Sequence, residues 1–295
     1  MSEHPQPMLE VTDIPALRAW RAAQRAAGRR VGLVPTMGYL HEGHLALVGE
    51  ARRRADAVVL SAFVNPLQFG PKDDFAQYPR DLARDRSLAA ARGVDLLFAP
   101  LIDAMYPPGA EIRVVAGETA ERWEGSARPG HFTGVLTVVA KLFHLVEPDV
   151  ACFGQKDIQQ VTLIRHLVRD LDWPIELAVV PTIRETDGLA LSSRNVYLSP
   201  AEREKALALS RGLRGATEAW ESGERSASVL ERIVRASLRA APGVRAEYIA
   251  VVEPQQMRPV KVAPAGTIVA LAAWVGGTRL IDNVILGGTP CSATS

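Results

Sequence analysis

The first two thirds of the chain alternate short apolar runs with longer amphipathic segments. The short runs are rich in valine, isoleucine and leucine, and the longer segments repeat apolar residues at helical spacing. They predict strands at 31–34, 57–64, 96–99, 150–153 and 176–180, and helices at 45–54, 82–92, 135–146 and 158–171. This alternation predicts an α/β domain built on a parallel sheet with helices on both faces.

The pattern changes after about residue 188. Ser199 and Pro200 are typical of a helix start, and the helix that follows extends to about residue 221. A second helix is predicted at 226–240, and strands at 246–252, 267–274 and 280–285. We therefore expect a domain at 1–188 and a smaller α+β domain at 189–295, with a disordered tail from Gly287.

Composition and charge narrow the class of protein. The 295 residues are 47% apolar and 23% charged, with a net charge of +1. Such a chain has no electrostatic basis for binding nucleic acid or an anionic membrane, and no apolar run approaches the roughly 20 residues of a membrane span. Cys152 and Cys291 form no disulfide framework, and residues 1–10 contain no apolar signal-peptide core. We expect a cytoplasmic protein.

Two histidines follow the first predicted strand, where parallel sheets bind ligands. Residues 34–44 read Val-Pro-Thr-Met-Gly-Tyr-Leu-His-Glu-Gly-His, with His44 at the start of a helix. A helix N-terminus stabilises anions, and Gly43 permits close approach to the backbone. The loop predicts a nucleotide phosphate site. The alternatives are a solvated histidine pair and a zinc site, although Gly43 breaks the helix that a His-Glu-x-x-His motif needs.

Two amide side chains follow the second predicted strand. Asn65 and Gln68 both donate and accept hydrogen bonds, so they suit the hydroxyl and carboxylate of a small hydroxy acid. Phe63 and Phe69 would provide an apolar wall for a branched alkyl group. The alternative interpretation is an ordinary Asn-Pro turn beside core aromatic residues.

A lysine follows the predicted strand at 150–153. Lys156 is placed to meet a phosphate, while Asp157 either caps the next helix or contacts magnesium. Gln160 lies three residues beyond Asp157 and shares its helix face.

Serine and arginine stand together at the junction of the two predicted domains. Ser192, Ser193 and Arg194 would make a phosphate clamp, although solvated loops carry the same residues. Between the loops, residues 128–134 are interpreted as pocket wall. There Arg128 and His131 either touch substrate or only support the loop.

These sequence motifs, taken in their order along the chain, resemble those of the pantoate–β-alanine ligase (pantothenate synthetase) family. His41-Glu42-Gly43-His44 fits the His-x-Gly-His mark of a nucleotidyltransferase superfamily with a Rossmann-like core, and the phrase from Pro35 to His44 is similar to the family's nearly letter for letter. The resemblance covers about residues 30–200, and beyond them only the helix and strand pattern. It implies a Rossmann-like nucleotide- and pantoate-binding domain, over whose ATP site the smaller domain closes.

The resemblance implies ATP-dependent condensation of (R)-pantoate with β-alanine. The carboxylate of pantoate attacks the α-phosphate of ATP to give pantoyl adenylate and pyrophosphate, and β-alanine then displaces AMP to form pantothenate. Neither step needs a covalent enzyme nucleophile, and the sequence suggests no Ser-His-Asp or Cys-His set. Positioning and charge stabilisation would supply the catalysis.

The resemblance also assigns site residues. The catalytic set is His41, His44, Lys156 and Arg194, with His44 as a proton donor to the departing group. The ATP-binding set is Pro35, Thr36, Met37, Gly38, Tyr39, Leu40, His41, Glu42, Gly43, His44, Gly154, Gln155, Lys156, Asp157, Ile183, Leu191, Ser192, Ser193 and Arg194. Asn65, Gln68 and Gln160 would bind substrate. Mg²⁺ would arrive with ATP, and Asp85 is the candidate for a protein contact to it, although Arg84 stands where some relatives have a second acid.

A homodimer is expected from the family. The nearest alternative function is a nucleotidyltransferase that joins CMP or AMP to a phosphorylated small molecule, but the Asn65 and Gln68 pocket has no clustered arginines. A tRNA synthetase is disfavoured by chain length and charge. A nucleotide sensor that binds ATP without turnover is the alternative from another class.

Overall fold

Six strands build the larger part of the molecule. The computed structural model of the chain describes residues 8–71 and 73–288. The strands are β1 (Leu9–Val11), β2 (Val31–Thr36), β3 (Ala57–Ala62), β4 (Leu96–Phe98), β5 (Val150–Gly154) and β6 (Glu176–Val180). They form one parallel sheet in the order β1-β4-β3-β2-β5-β6. The strand order reverses between β2 and β5, and open α/β sheets bind ligands at the carboxyl ends of strands beside such a reversal.

Helices cover both faces of this sheet. They are α1 (Ile14–Ala26), α2 (Glu42–Arg54), α3 (Leu82–Ala91), α4 (Ile102–Met105), α5 (Glu124–Ala127), α6 (His131–Val146) and α7 (Ile158–Asp170). One apolar core joins Leu17 of α1 to α6 and α7, and a second joins Leu45 of α2 to Ala89 of α3. The predicted Rossmann-like α/β architecture is therefore confirmed.

A smaller antiparallel sheet follows. Helices α8 (Pro200–Glu221) and α9 (Ala227–Arg239) precede β7 (Val244–Val252), β8 (Ile268–Val275) and β9 (Thr278–Ile285). Ser199 caps α8, because its hydroxyl accepts from Glu202 N and the Glu202 carboxylate accepts from Ser199 N. The three strands pair in the order β7-β8-β9 and share an apolar core with α8 and α9. The predicted α+β character of this part is confirmed.

The amino-terminal elements were absent from the sequence interpretation. Asp13 accepts a hydrogen bond from Ala16 N at 2.8 Å and caps α1, and Pro15 lies in its first turn. These are ordinary helix-start signals. The strand β1 is three residues long at the sheet edge, which is too short for an alternating pattern to mark it.

Some sequence predictions fall outside the described residues. Most of the expected disordered tail, 289–295, lies there, including Cys291, as do residues 1–7 of the amino-terminal segment. Cys152 is buried. In the described ranges, no helix combines the length and apolar character that crossing a bilayer requires.

Candidate active site

A cavity of about 750 Å³ opens at the carboxyl ends of the central strands. The small sheet contributes part of its lining, from Tyr248 and from residues 277–281. The cavity brings together most of the predicted site residues: Pro35, Thr36, Met37, His41, Gly43, His44, Asn65, Gln68, Gly154, Lys156, Asp157, Gln160, Ile183, Leu191, Ser192, Ser193 and Arg194. Asp74, Tyr78, Arg128 and His131 also line it.

Five residues of the predicted ATP-binding set do not line this cavity: Gly38, Tyr39, Leu40, Glu42 and Gln155. Leu40 is fully buried in the apolar core, and Glu42 pairs with Arg92. The Gln155 side chain donates to Asn283 Oδ1 at 3.2 Å, which ties it to β9. The side chains of Leu40, Glu42 and Gln155 are thus engaged elsewhere in the fold.

The two histidines cap the amino terminus of α2 together. The Nδ1 atom of His41 accepts from Gly43 N at 3.1 Å, and the Nδ1 atom of His44 accepts from His41 N at 3.3 Å. The rings stack with centroids 4.0 Å apart. Because both Nδ1 atoms accept, each neutral ring carries its proton on Nε2.

The electrostatic surroundings keep both rings neutral. Burial, reinforced by the charge of Lys156, lowers the pKa of His41 to about 4. Burial also holds the pKa of His44 well below 6.5, with smaller contributions from His41 and Lys156. A neutral imidazole donates a hydrogen bond but is a weak acid. In this state His44 offers an Nε2 hydrogen bond to a ligand, and proton donation by His44 stays a prediction.

Asp85 supports the loop between β2 and α2 from behind. Its side chain is buried, and its two carboxylate oxygens accept from Tyr39 N and Leu40 N, both at 2.7 Å. Arg84 donates to Leu40 O at 2.7 Å. At Gly38, φ is +77° and an added Cβ would lie 2.9 Å from the Asp85 carboxylate, so glycine is required there. Asp85, the candidate magnesium contact, therefore supports this loop through both carboxylate oxygens, and its contact to magnesium stays a prediction.

Asn65 orients the amide of Gln68. Asn65 Nδ2 donates to Gln68 Oε1 at 3.0 Å and to Gly134 O at 3.1 Å. Asn65 Oδ1 accepts from Tyr106 Oη at 2.9 Å and from Leu67 N at 3.3 Å. These four bonds use every donor and lone pair of the Asn65 amide. Direct substrate binding by Asn65, as predicted, would require one of them to break, whereas Gln68 Nε2 donates to Met37 Sδ at 3.1 Å and keeps its second hydrogen for a ligand.

Arg128 and His131 support the other side of Gln68. His131 Nδ1 donates to Gln68 O at 2.8 Å, and its Nε2 atom lies 3.3 Å from Arg128 Nη1. Burial lowers the pKa of His131 to about 4, and the Arg128 charge adds to this. Arg128 Nη2 donates to Asp73 at 2.8 Å. The geometry thus favours the supporting role for both residues.

Lys156 and Asp157 line the cavity, and their side chains have few fixing contacts. Lys156 Nζ lies 3.7 Å from the Asp157 carboxylate, beyond hydrogen-bond distance. The Asp157 side chain makes no cap hydrogen bond to α7, so the capping alternative is not realised. Gln160 also lines the cavity, and its amide makes no hydrogen bond to another described residue. All three side chains are thus available to ligands.

Arg194 is held by an acid that the sequence interpretation did not include. Its Nε and Nη2 atoms donate to the carboxylate of Asp74 at 2.9 and 2.8 Å. The guanidinium lies 5.7 Å from the centroid of the Tyr78 ring. These contacts leave Nη1 to face a ligand. Asp74 stands in the loop after β3, 120 positions before Arg194, so no local spacing pairs them in the sequence.

Further cavity residues were missed by the sequence interpretation. The hydroxyls of Ser61 and Thr182 are buried, line the cavity and have no partner among the described residues. Arg279 of β9 binds Glu124 of α5 through two hydrogen bonds of 2.8 and 2.7 Å. Thr182 lies within a phrase that the sequence had already marked. Glu124 and Arg279 are 155 positions apart and give no sequence signal.

Comparison with known proteins relates the chain to one enzyme family. Residues 10–285 match the family model described as Pantoate-beta-alanine ligase. The pantothenate synthetase of Moorella thermoacetica is 52% identical over 92% of this chain and 96% of its own.

Solved structures similar to this chain come from the same family as its sequence relatives. The pantothenate synthetase of Thermus thermophilus superposes with a TM-score of 0.90 at 50% identity, covering 94% of this chain and 99% of that one. The pantoate-beta-alanine ligase of Francisella tularensis, complexed with beta-gamma ATP and beta-alanine, has a TM-score of 0.80 at 34% identity, covering 96% of this chain and 100% of that one. The chain belongs to the pantoate–β-alanine ligase family.

Proposed function

We propose that this ligase condenses pantoate with β-alanine through a pantoyl adenylate. The carboxylate oxygen of pantoate attacks the α-phosphorus of ATP, and the bond from that phosphorus to the bridging oxygen breaks to release pyrophosphate. The amine of β-alanine then attacks the acyl carbon, loses a proton, and displaces AMP. The observation that carries the proposal is the juxtaposition, in one cavity, of cationic and neutral donors suited to phosphates with the uncharged amides of Gln68 and Gln160.

The phosphates of ATP would lie against His41, His44, Lys156 and Arg194. Lys156 and Nη1 of Arg194 supply positive charge, and the neutral histidines supply Nε2 hydrogens at the amino terminus of α2. The two histidines and Arg194 are held by their own hydrogen bonds before the reaction, so they would stabilise charge that develops on the phosphates without reorganising. Ile183 and Leu191 would provide apolar contact for the rest of the nucleotide.

Pantoate would lie between Gln68 and Gln160. Gln68 offers a donor whose direction Asn65 sets, and Phe63 and Phe69 line the same cavity. An acceptor that carried its own phosphate would need further cations here. Arg128 is neutralised by Asp73. The pocket therefore favours a carboxylic acid over the phosphorylated acceptor of the rival nucleotidyltransferase.

Magnesium would be held chiefly by the phosphates of ATP. Mg²⁺ prefers oxygen ligands and usually keeps several waters beside substrate phosphates. In the part of the chain that the structure describes, no three His, Cys, Asp or Glu side chains cluster as a metal site. Asp157, whose side chain is 46% exposed, is available to supply one carboxylate.

Pyrophosphate exchange into ATP tests this function. With pantoate present and β-alanine absent, exchange should occur, because the adenylate forms reversibly. Lys156→Ala should slow exchange by about 10²–10³-fold, as the loss of one transition-state donor does elsewhere. Lys261→Ala is the matched control, since Lys261 is exposed and outside the cavity. ATP binding without pantoate-dependent exchange would point to a sensor or to another acceptor.

Three further proposals concern the whole protein. We place a domain boundary near residue 188, with the part after it closing over ATP, and we propose a cytoplasmic enzyme and a homodimer. Leu101, Ile112 and Val115 are 75%, 86% and 73% exposed, and burying such side chains against a second copy of the chain would be favourable. Light scattering should give twice the chain mass of 31.9 kDa. The chain mass itself at micromolar concentration would exclude the dimer.

A further inference from the structure

Tyr106 lies outside the cavity but is joined to it by hydrogen bonds. It follows α4, and its hydroxyl donates to Asn65 Oδ1 at 2.9 Å. The opposite end of the same amide, Asn65 Nδ2, donates to Gln68 Oε1 at 3.0 Å. Tyr106 does not line the cavity, whereas Asn65 and Gln68 do. A chain of hydrogen bonds therefore runs from Tyr106 to the pocket that would receive the acid.

The direction of each bond in this chain is determined. Leu67 N donates to Asn65 Oδ1 and Asn65 Nδ2 donates to Gly134 O, so the backbone fixes which end of the Asn65 amide faces Tyr106. Because that end is the oxygen, the Tyr106 hydroxyl must donate to it. Asn65 must then present its NH₂ to Gln68. Gln68 in turn must present its oxygen to Asn65, which turns its Nε2 end toward the cavity, where one hydrogen meets Met37 Sδ at 3.1 Å and the other is left for a ligand. Burial raises the pKa of Tyr106, so its hydroxyl keeps the proton that this order needs.

The ring of Tyr106 is held in place by its neighbours. Its centroid lies 6.0 Å from the centroid of the Phe63 ring and 5.8 Å from Lys141 Nζ. The backbone after Tyr106 is anchored separately, since Val114 N donates to Thr137 Oγ1 at 3.0 Å. The hydroxyl therefore reaches Asn65 from a fixed ring, and the anchor of the segment can be tested apart from the hydrogen bond.

We propose that Tyr106 is a positioning residue for the acid substrate, acting through Asn65 to keep the donor end of the Gln68 amide toward the pantoate carboxylate. The inference rests on the proposed function, because it requires Gln68 to contact the acid. With the order reversed, Gln68 would present its oxygen to a carboxylate, and the two acceptors would repel. The hydrogen-bond chain thus favours an anionic acid over an uncharged analogue of similar shape.

The test is a double-mutant cycle on the KM for pantoate, measured by pyrophosphate exchange in the full-length protein. Tyr106→Phe removes the hydroxyl and keeps the ring. It should raise this KM by about three- to tenfold, the effect of losing one neutral hydrogen bond, and leave the KM for ATP unchanged. In a Gln68→Ala background the same substitution should have no further effect, because the residue through which it acts is absent.

A control variant distinguishes the relay, meaning the hydrogen-bond chain from Tyr106 through Asn65 to Gln68, from a simple packing effect. Thr137→Val removes the neighbouring anchor of the same segment, so an equal rise in the KM for pantoate would show that packing, and not the hydrogen-bond chain, is responsible. An effect of Tyr106→Phe that persists in the Gln68→Ala background would also overturn the proposal. If Gln68→Ala lowers pantoate affinity while Tyr106→Phe alone is silent, the relay fails and the proposed function stands. If Gln68→Ala has no effect, the proposed acid pocket fails and the relay fails with it.

Discussion

At the scale of single residues, the histidines show how burial sets chemistry. His41 and His131 are each held neutral by surroundings that lower the pKa to about 4. Each also uses one ring nitrogen in a hydrogen bond to the backbone, which fixes its tautomer. Their protons are therefore placed by the fold, and acid should act on stability as well as on activity.

We predict that the free energy of unfolding falls as the pH is lowered from about 6.5 toward 4. In this window the unfolded chain binds a proton on a histidine of ordinary pKa while the folded His131 does not, so acid favours the unfolded state. Between pH 6.5 and pH 5 one such histidine contributes about 2 kcal/mol of loss, at roughly 1.4 kcal/mol for each unit.

His131→Asn provides the comparison for this prediction. The Asn amide can keep the donor to Gln68 O and cannot titrate, so its urea-unfolding free energy should decline less steeply below pH 6.5 than that of the unsubstituted protein. Above pH 7 the two profiles should run parallel, because histidine is neutral in both states. Equal slopes between pH 6.5 and pH 5 would show that His131 already binds its proton in the folded protein.

At the scale of elements, α3 fixes the loop that precedes α2. The carboxylate of Asp85 in α3 accepts two backbone hydrogens of that loop, and those N–H groups have no strand or helix partner of their own. A buried N–H without an acceptor is strongly unfavourable. The shape of the loop between β2 and α2 therefore depends on an acid 45 positions from Leu40.

We predict that Asp85→Asn lowers stability by about 1–3 kcal/mol and raises the KM for ATP, because one acceptor is replaced by a donor that faces another donor. The magnesium requirement should not change. Asp81→Asn on the same helix is the control: Asp81 caps α3 by accepting from Arg84 N at 3.0 Å, and asparagine caps equally well. If the magnesium requirement shifts in Asp85→Asn and not in Asp81→Asn, Asp85 contacts the magnesium ion.

The elements were predictable from the sequence to the extent that their signals are local. The apolar runs located β2 to β6, and Pro200 marked the first residue of α8, because periodicity and capping are properties of neighbouring positions. For the same reason the sequence singled out four loops that contribute to the cavity lining. The partner of the Gln155 side chain, Asn283, lies in the other sheet, and no local pattern indicates that contact.

The same limit applies to Asn65, whose four partners include Tyr106 and Gly134. Its residue type suits substrate binding, and nothing adjacent shows that its hydrogen-bonding capacity is used internally. Asp74 and Arg194 form a pair that only the fold brings together. Contacts between distant segments decide which polar residues face the ligand, and these contacts are absent from any local pattern.

At the scale of the whole molecule, the two sheets are tied by a buried ion pair at the edge of the cavity. Arg279 of β9 binds Glu124 of α5 and also Glu247 of β7, and the side chains of Arg279 and Glu124 are 15% and 8% exposed. Burial raises the pKa of Glu124, but the hydrogen bonds and charge of Arg279 outweigh this and leave it lowered. Glu124 is thus charged, and its charge is compensated mainly from the small sheet.

We predict that Arg279→Met lowers the free energy of unfolding by about 3–5 kcal/mol, because the buried charge of Glu124 then keeps only weaker contacts, to Arg128 at 3.5 Å and to the Tyr248 hydroxyl at 3.3 Å. Adding Glu124→Gln should recover part of the loss, since the uncompensated charge is then removed. Arg235→Met is the matched control, because the Arg235–Glu231 pair on α9 is much more exposed to solvent. Its loss should change the free energy of unfolding by less than about 0.5 kcal/mol. Urea unfolding measures all four proteins. A double variant no more stable than Arg279→Met would show that lost packing, and not stranded charge, weakens the join between the two sheets.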